Sequence, residues 1–206
     1  MAPDIPLPLI LGSSSKFRAA ILRQHGIGFT VQVPNINEKG IGGAHRDGPL
    51  PDPDALTLAV ANAKADALLA QLPAGTPPSL LVACDQVTSF QGRVREKPES
   101  EDECREYLRS YVQAPAETHS GVVVVNTQTG KRVQGVDVAR QHFKAIPEAV
   151  IDSLIAKGDV MYSCGGFTIE DPELQPYMLQ REGDEDSIIG MPIKLLLRLI
   201  AEATSA

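Results

Sequence analysis

The segment from Gly12 to Arg18 carries the first residues whose types suit chemistry. A short apolar run, Leu7–Leu11, ends there, and three serines precede a helical pattern. The start of a helix offers free backbone N–H groups and the positive end of the helix dipole, which favour phosphate. Arg18 adds a guanidinium suited to bidentate phosphate contacts. The segment predicts a phosphate-binding turn with Ser13, Ser15 and Arg18, although an ordinary serine cap has the same pattern.

Two carboxylates are candidates for metal binding and water activation. Asp85 follows the apolar run Leu80–Ala83, and we expect it at the end of that strand, where open α/β sheets place their sites. A carboxylate there can hold a divalent metal or act as a general base. Glu38 lies in the segment 34–54, whose four Pro and four Gly predict a functional loop. A turn-forming Asp and a solvated Glu are the alternatives.

Two lysines could add positive charge to such a site. Lys64 lies next to the apolar stripe of a predicted helix, and Lys97 follows a predicted hairpin. Each alone is typical of a surface lysine. Together with Arg18 they would supply three cations, enough to bind a polyphosphate in a protein that is acidic overall.

The segment from Cys164 to Glu170 combines paired glycines with a carboxylate. Adjacent glycines allow the backbone to approach a ligand closely, and Glu170 could accept two hydrogen bonds from the edge of a base. No basic partner for a nucleophilic Cys164 is visible in the sequence. The alternative is a glycine-rich turn into a short strand, Phe167–Ile169. The acidic turn and Gly-Met-Pro at 183–192 are typical of a segment that docks the last helix.

The elements around these residues are predicted from apolar spacing and capping residues. The predicted strands are Leu7–Leu11, Phe29–Val33, Leu80–Ala83, Val87–Phe90, Arg93–Glu96, Gly121–Val125, Val133–Phe143 and Phe167–Ile169. The predicted helices are Lys16–Gln24, Asp54–Leu72 with the stripe Leu56, Val60, Ala63 and Ala67, Ser100–Val112 with a Ser100–Glu103 capping box, Pro147–Ala156 and Pro192–Ala203. Single strands between helices, mixed with hairpins, predict a mixed α/β sheet with flanking helices.

The composition excludes several classes of protein. The chain has 206 residues with 19 basic and 26 acidic side chains, and this balance argues against a nucleic-acid or membrane-surface binder. Three widely spaced cysteines fit a reducing compartment. The N-terminus contains an acid and three prolines where a signal peptide would be basic and then apolar. We therefore expect a cytoplasmic protein without nucleic-acid or membrane partners; the sequence leaves a homodimer open.

The order of the short motifs resembles the Maf family, the septum-formation-protein-like nucleotide pyrophosphatases. The motifs are Ser-x-Ser-x-x-Arg at 13–18, Asn-Glu-Lys at 37–39, Ala-Lys-Ala at 63–65, Asp-Gln-Val at 85–87, Glu-Lys-Pro at 96–98, Ser-Gly-Val at 120–122, Cys-Gly-Gly-Phe at 164–167 and Asp-Ser-Ile-Ile-Gly-Met-Pro at 186–192. The resemblance covers nearly the whole chain. It implies one domain over residues 1–206, with a mixed twisted sheet and two lobes around a deep cleft, similar to inosine-triphosphate pyrophosphatases.

The resemblance also implies an activity and its residues. A nucleoside triphosphate would be hydrolysed between its α and β phosphates with a divalent cation, Mg²⁺, Mn²⁺ or Co²⁺. Asp85 would be the catalytic base, and Glu38 and Asp85 would hold the metal. The positions implied to bind substrate are Ser13, Ser15, Phe17, Arg18, Lys64, Gln86, Lys97 and Glu170.

Three positions indicate the base. Phe17 before Arg18, Gln86 after Asp85, and Glu170 look like the branch that acts on 7-methyl-GTP, although that branch usually has Trp in place of Phe17. Methylation at N7 makes guanine cationic, so an aromatic face adds about 0.5–2 kcal/mol of cation–π attraction. Glu170 could accept from N1–H and the exocyclic amine. The alternatives are a dTTP or UTP pyrophosphatase, and a non-catalytic nucleotide-binding regulator of cell division.

Overall fold

The computed structural model describes residues 3–205, which form seven β-strands and seven α-helices. The strands are β1 (Leu9–Gly12), β2 (Phe29–Val31), β3 (Leu80–Phe90), β4 (Arg93–Arg95), β5 (Ala116–Asn126), β6 (Arg132–Phe143) and β7 (Met178–Glu182). The helices are α1 (Lys16–Gln24), α2 (Gly43–Asp47), α3 (Pro53–Gln71), α4 (Glu101–Ser110), α5 (Glu148–Lys157), α6 (Glu185–Ile189) and α7 (Ile193–Thr204). Short 3₁₀ turns lie at Glu38–Gly40, Asp159–Tyr162, Cys164–Gly166 and Gln175–Tyr177.

The seven strands form one mixed sheet in the order β2-β1-β3-β5-β6-β7, with β4 paired to the far end of β3. β1 is parallel to β2 and β3, and the other described pairs are antiparallel. One edge of β3 pairs with β5 from Leu80 to Ser89. The other edge pairs with β1 as far as Ala83 and with β4 from Thr88 onward. Residues 84–87 therefore have no neighbouring strand on that side among residues 3–205, and this gap in the sheet underlies the cleft.

Side chains along β3 alternate between the two faces of the sheet. Leu81 and Ala83 pack in a core with the buried face of α3, whereas Leu80 and Val82 pack in a core with residues of α1 and α7. A separate core fills the other half of the molecule and includes the contacting rings Phe90, Tyr111, Phe143 and Phe167. The predicted α/β fold, a mixed sheet with flanking helices, is confirmed.

Serine caps begin two of the helices beside the cleft. Ser15 Oγ accepts a hydrogen bond from the N–H of Arg18 at 3.3 Å. Ser100 Oγ accepts from the N–H of Glu103 at 3.2 Å. Both caps were predicted. The return half of the predicted capping box is different, because the Glu103 carboxylate accepts from the N–H of Glu99 at 2.6 Å rather than from Ser100.

Two strand predictions are wrong. The runs Leu80–Ala83 and Val87–Phe90 belong to one continuous strand, because β5 pairs along the length of both. Asp85 consequently lies in the middle of β3 and not at its end, although it is just past the last residue of β3 that pairs with β1. The segment Phe167–Ile169 forms no strand; its apolar side chains are buried because they pack into the second core.

Other differences concern helices and short elements. The buried face of α3 includes Val60, Lys64 and Leu68, and the predicted stripe residues Ala63 and Ala67 are only half-buried. The predicted loop 34–54 contains α2 and a 3₁₀ turn. β7 and α6 were not predicted, because five residues each give too short a pattern. No helix within residues 3–205 is long and apolar enough to span a membrane.

Candidate active site

A cavity of about 1550 Å³ opens where β3 lacks a neighbour between β1 and β4. Every site residue named from the sequence lines it: Ser13, Ser15, Phe17, Arg18, Glu38, Lys64, Asp85, Gln86, Lys97 and Glu170. These side chains come from elements on both sides of the gap. The cavity is thus one place where the individual predicted roles could operate together.

The turn between β1 and α1 is held by a small hydrogen-bond network. Ser13 Oγ accepts from the N–H of Ser15 at 3.2 Å and from Arg18 Nη1 at 3.2 Å. Arg18 also donates from Nη1 to the Cys84 carbonyl and from Nε to the Gly190 carbonyl, each at 3.0 Å. Within residues 3–205, Arg18 Nη2 donates no hydrogen bond. The guanidinium is therefore fixed in place with one donor group left for a ligand.

The charge on Arg18 is maintained by its surroundings. Burial lowers the pKa of Arg18, but neighbouring groups, among them Asp85 and Glu38, outweigh burial and raise that pKa above its usual value. A permanently charged, oriented guanidinium beside a helix N-terminus is suited to bind phosphate.

The ammonium of Lys64 joins two carboxylates at the centre of the site. Its Nζ lies 2.8 Å from Glu38 Oε2 and 2.8 Å from Asp85 Oδ1. Lys64 and Asp85 are 6% and 9% exposed, whereas the Glu38 side chain is about half exposed. Lys64 comes from α3, Asp85 from β3 and Glu38 from the 3₁₀ turn after β2. Three separate elements therefore converge on one buried charge cluster that reaches solvent through the cavity.

The two carboxylates provide the donor set that a hard divalent cation prefers. Neither Asp85 Oδ2 nor Glu38 Oε1 accepts a hydrogen bond from another group in residues 3–205. No cluster of three or more His, Cys, Asp or Glu suitable for a metal occurs in that range. Mg²⁺ commonly uses one or two carboxylates and takes its remaining ligands from substrate phosphates and water. Glu38 and Asp85 fit that kind of substrate-assisted site.

Gln86 points to the opposite face of β3 from Asp85, as neighbouring strand residues must. Its Nε2 donates to Ser120 Oγ at 3.0 Å and to the Ser187 carbonyl at 2.9 Å. Gly190, at φ +116°, lies against the same amide: an added Cβ would be 2.9 Å from Gln86 Oε1. The contacts of Gln86 thus hold α6 and the following turn in place, which also fixes the Gly190 carbonyl that Arg18 binds.

Phe17, Glu170 and Lys97 lie nearer the cavity surface. Phe17, in the first turn of α1, is 40% exposed. Glu170 and Lys97 are exposed as well. Partial burial raises the pKa of Glu170, and the nearby Glu185 raises it further. A ligand that brings positive charge or two hydrogen-bond donors to Glu170 would relieve that cost.

Two ion pairs in the cavity lining were not predicted from the sequence. Arg46 Nε lies 2.8 Å from Glu96 Oε2, and Lys39 Nζ lies 2.6 Å from Glu99 Oε1. They attach the segment 34–54 to the turn between β4 and α4. Lys39 belongs to the Asn-Glu-Lys motif, next to Glu38, and Glu96 belongs to the Glu-Lys-Pro motif, next to Lys97. These two motifs were the signal in the sequence from which the ion pairs could have been predicted.

The cysteines are poorly suited to nucleophilic attack. Burial raises the pKa of Cys164 to about 12 and that of Cys104 to about 11. Burial also raises the pKa of Cys84. Cys164 Sγ donates instead to the Gln86 carbonyl at 3.0 Å. The thiols therefore stay neutral and serve packing and hydrogen bonding.

Comparisons with known proteins agree with the geometry. A protein of Dictyostelium discoideum named 7-methyl-GTP pyrophosphatase is 45% identical over 201 residues, covering 96% of this chain and 98% of that relative. A Burkholderia lata protein of the same name is 30% identical, covering 96% and 90%. A nucleoside triphosphate pyrophosphatase of Salinispora tropica is 32% identical, covering 98% and 86%. The sequence model of the Maf-like proteins matches residues 8–203, and the chain belongs to that family.

Proposed function

We propose that this protein is a nucleoside triphosphate pyrophosphatase that hydrolyses the α–β phosphoanhydride of 7-methyl-GTP. The observation that carries the proposal is the Glu38–Lys64–Asp85 cluster, which lines the same cavity as the Arg18 turn. Carboxylates and fixed cations in one cleft are what water attack on a polyphosphate requires. Two relatives named 7-methyl-GTP pyrophosphatase support the choice of substrate.

In this proposal three cationic side chains bind the phosphates of the substrate together. Arg18 uses its free Nη2, and Lys64 and Lys97 approach from the other elements of the cavity lining. Asp85 accepts a proton from the water that attacks the α-phosphorus, and pyrophosphate leaves. Lys64 Nζ, 2.8 Å from Asp85 Oδ1, orients the carboxylate that accepts this proton.

A divalent cation is part of the proposal. The cavity lining contains eight carboxylates and six cationic side chains, so the protein alone cannot neutralise a triphosphate. Glu38 and Asp85 would hold the ion through the oxygens that have no other partner in residues 3–205. When bound, the ion would polarise the phosphoryl group and offset the charge of the leaving pyrophosphate.

Recognition of the base falls to Phe17 and Glu170 in this proposal. Phe17 is 40% exposed and lines the cavity, where its ring would contact a cationic base. Glu170 would accept from N1–H and the exocyclic amine of 7-methylguanine. Gln86 acts indirectly, because its amide N–H groups are engaged by Ser120 and Ser187.

The test is pyrophosphate release from GTP, 7-methyl-GTP, dTTP and UTP with Mg²⁺, Mn²⁺ or Co²⁺. We expect the highest kcat/KM for 7-methyl-GTP and no turnover after chelation of the metal. Faster hydrolysis of dTTP or UTP would favour the pyrimidine alternative. Nucleotide binding without pyrophosphate release under any of the three ions would favour a non-catalytic regulator, including one acting in septum formation.

We further propose that the protein works in the cytoplasm. Three cysteines that form no disulfide within the described residues support a reducing compartment. A homodimer stays a prediction, which light scattering at micromolar concentration would test.

A further inference from the structure

The chain has nine aromatic side chains, five Phe and four Tyr, and no Trp. Seven of them are packed in the core or lie against a cationic side chain: Phe29, Phe90, Tyr107, Tyr111, Phe143, Phe167 and Tyr177. The two that remain are the exposed ones, Phe17 at 40% and Tyr162 at 75%. Both line the cavity. A large exposed aromatic ring inside a binding cleft is unusual for a residue whose only role is packing.

The backbone on either side of Tyr162 is hydrogen-bonded within its 3₁₀ turn. Met161 N–H donates to the Gly158 carbonyl at 3.0 Å, and Ser163 N–H donates to the Val160 carbonyl at 3.3 Å. The neighbouring Val160 is 1% exposed and anchors the turn in the second core. The 3₁₀ turn therefore presents the ring of Tyr162 from a rigid base.

The residues that follow Tyr162 are hydrogen-bonded to β3 and to the segment after β4. Cys164 Sγ donates to the Gln86 carbonyl at 3.0 Å. The N–H of Gly165 donates to the Glu96 carbonyl at 2.9 Å. The first bond ties the turn to β3, which carries Asp85, and the second ties it to the residue that follows β4. Among residues 3–205 the Tyr162 hydroxyl makes no hydrogen bond and the ring makes no aromatic pair. The backbone at Tyr162 is therefore held by hydrogen bonds, while the ring is available to a ligand.

We propose that Tyr162 is a substrate-binding residue whose ring stacks on the nucleobase and contributes to selectivity for a cationic base. The inference rests on the proposed function, because it places the base in this cavity. Phe17 lies on α1, which packs in the core with β1 and α7, and Tyr162 lies on the turn after α5, which packs in the second core. In this proposal the base contacts both aromatic rings. An electron-rich phenol face attracts the positive ring of 7-methylguanine more strongly than neutral guanine.

The experiment uses the fluorescence of 7-methylguanosine, which the protein can report cleanly because it contains no Trp. Stacking on an aromatic ring quenches that emission. Titration of wild type, Tyr162→Ala and Tyr162→Phe gives affinities for the nucleoside without turnover. Leu179→Ala is the matched control, since Leu179 is 56% exposed and does not line the cavity. Steady-state kinetics with 7-methyl-GTP and GTP complete the comparison.

We expect Tyr162→Ala to lose part of the quenching, because Phe17 can still contact the base, and to raise KM for 7-methyl-GTP roughly tenfold or more, as removal of one base-stacking ring typically does. KM for GTP should rise less, kcat should change little, and Tyr162→Phe should restore both quenching and KM. Unchanged quenching and KM in Tyr162→Ala, or an equal rise in KM for both nucleotides, would overturn the inference.

The two proposals fail in different ways. If the wild type hydrolyses 7-methyl-GTP and Tyr162→Ala behaves like Leu179→Ala, the enzymatic function stands and the role of Tyr162 is wrong. If no triphosphate is hydrolysed with any of the three metals, the enzymatic function is wrong. The nucleoside titration still decides the role of Tyr162 in that case, because it requires binding alone.

Discussion

Replacing Asp85 with Asn tests the chemical role of this side chain with little effect on folding. The change removes the negative charge and the proton-accepting ability of the group while keeping its size. Asn Oδ1 can still accept from Lys64 Nζ, which is 2.8 Å from Asp85 Oδ1 in the wild type. Lys64 also keeps its contact with Glu38 at 2.8 Å. The buried ammonium therefore retains a negative partner, and the fold should tolerate the variant.

The expected magnitudes differ for activity and stability. A positioned general base contributes about 10²–10⁴-fold in rate, and kcat should fall by at least that factor because one of the two carboxylates proposed to bind the metal is lost as well. One ion pair becomes a charge–dipole hydrogen bond, which changes unfolding free energy by about 1 kcal/mol. For a chain of this size that corresponds to a Tm shift of roughly 2–4 °C.

The assay is pyrophosphate release at saturating 7-methyl-GTP over a range of Mg²⁺ and Mn²⁺ concentrations, with Tm measured in parallel. Asp47→Asn is the matched control, because Asp47 lines the same cavity and forms no ion pair within residues 3–205. Recovery of activity at high metal concentration would limit Asp85 to metal binding. Pyrophosphate release within tenfold of wild type at all metal concentrations would refute both roles.

Three further changes test the site and its support. Partial burial raises the pKa of Glu170, so the folded protein loses stability as the pH rises from the usual carboxyl pKa to the raised one. Glu170→Gln should therefore raise Tm at neutral pH but not in acid, and it should lower the kcat/KM ratio for 7-methyl-GTP over dTTP. A neutral-pH Tm below wild type would contradict that cause. Gly121→Ala places a Cβ 2.7 Å from the Thr57 backbone carbon and should cost about 1–3 kcal/mol in unfolding experiments. Gly28→Ala, whose added Cβ would have no atom within 4 Å beyond its own residue and its two chain neighbours, should leave stability nearly unchanged, and equal losses would count against the packing argument. Cys164→Ser should retain turnover. The thiol of wild-type Cys164 should react slowly with alkylating reagents because burial raises its pKa to about 12. A serine variant that is folded but inactive would show that the thiol has a role beyond packing.

Local signals in the sequence were sufficient for the elements that are defined locally. Ser15 and Ser100 begin helices because their hydroxyls accept from backbone N–H groups three residues away, and this relation is visible in sequence. The β5–β6 hairpin is similarly indicated by two β-rich runs around a Thr-Gly turn. The ordered motifs then located the candidate site residues, all of which line one cavity.

Features that depend on distant partners could not be predicted in the same way. Lys64 interrupts the apolar face of α3, and its burial is compensated by two carboxylates that are distant in sequence, Asp85 and Glu38. Gln86 contacts the carbonyl of Ser187, 101 residues away, so its positioning role has no local signal. The sequence predicts a strand end at Asp85 because the polar pair at 85–86 breaks the apolar run. The pairing of β3 with β5 overrides that break.

The gap along β3 has a consequence for self-association. A strand edge with free carbonyl groups is a template onto which a strand from another chain can be added. Here the Cys84 carbonyl accepts from Arg18 Nη1, and the Gln86 carbonyl accepts from Cys164 Sγ. Neither carbonyl is left free for an intruding backbone, so the opening that admits a small ligand is protected against strand addition by the side chains around it.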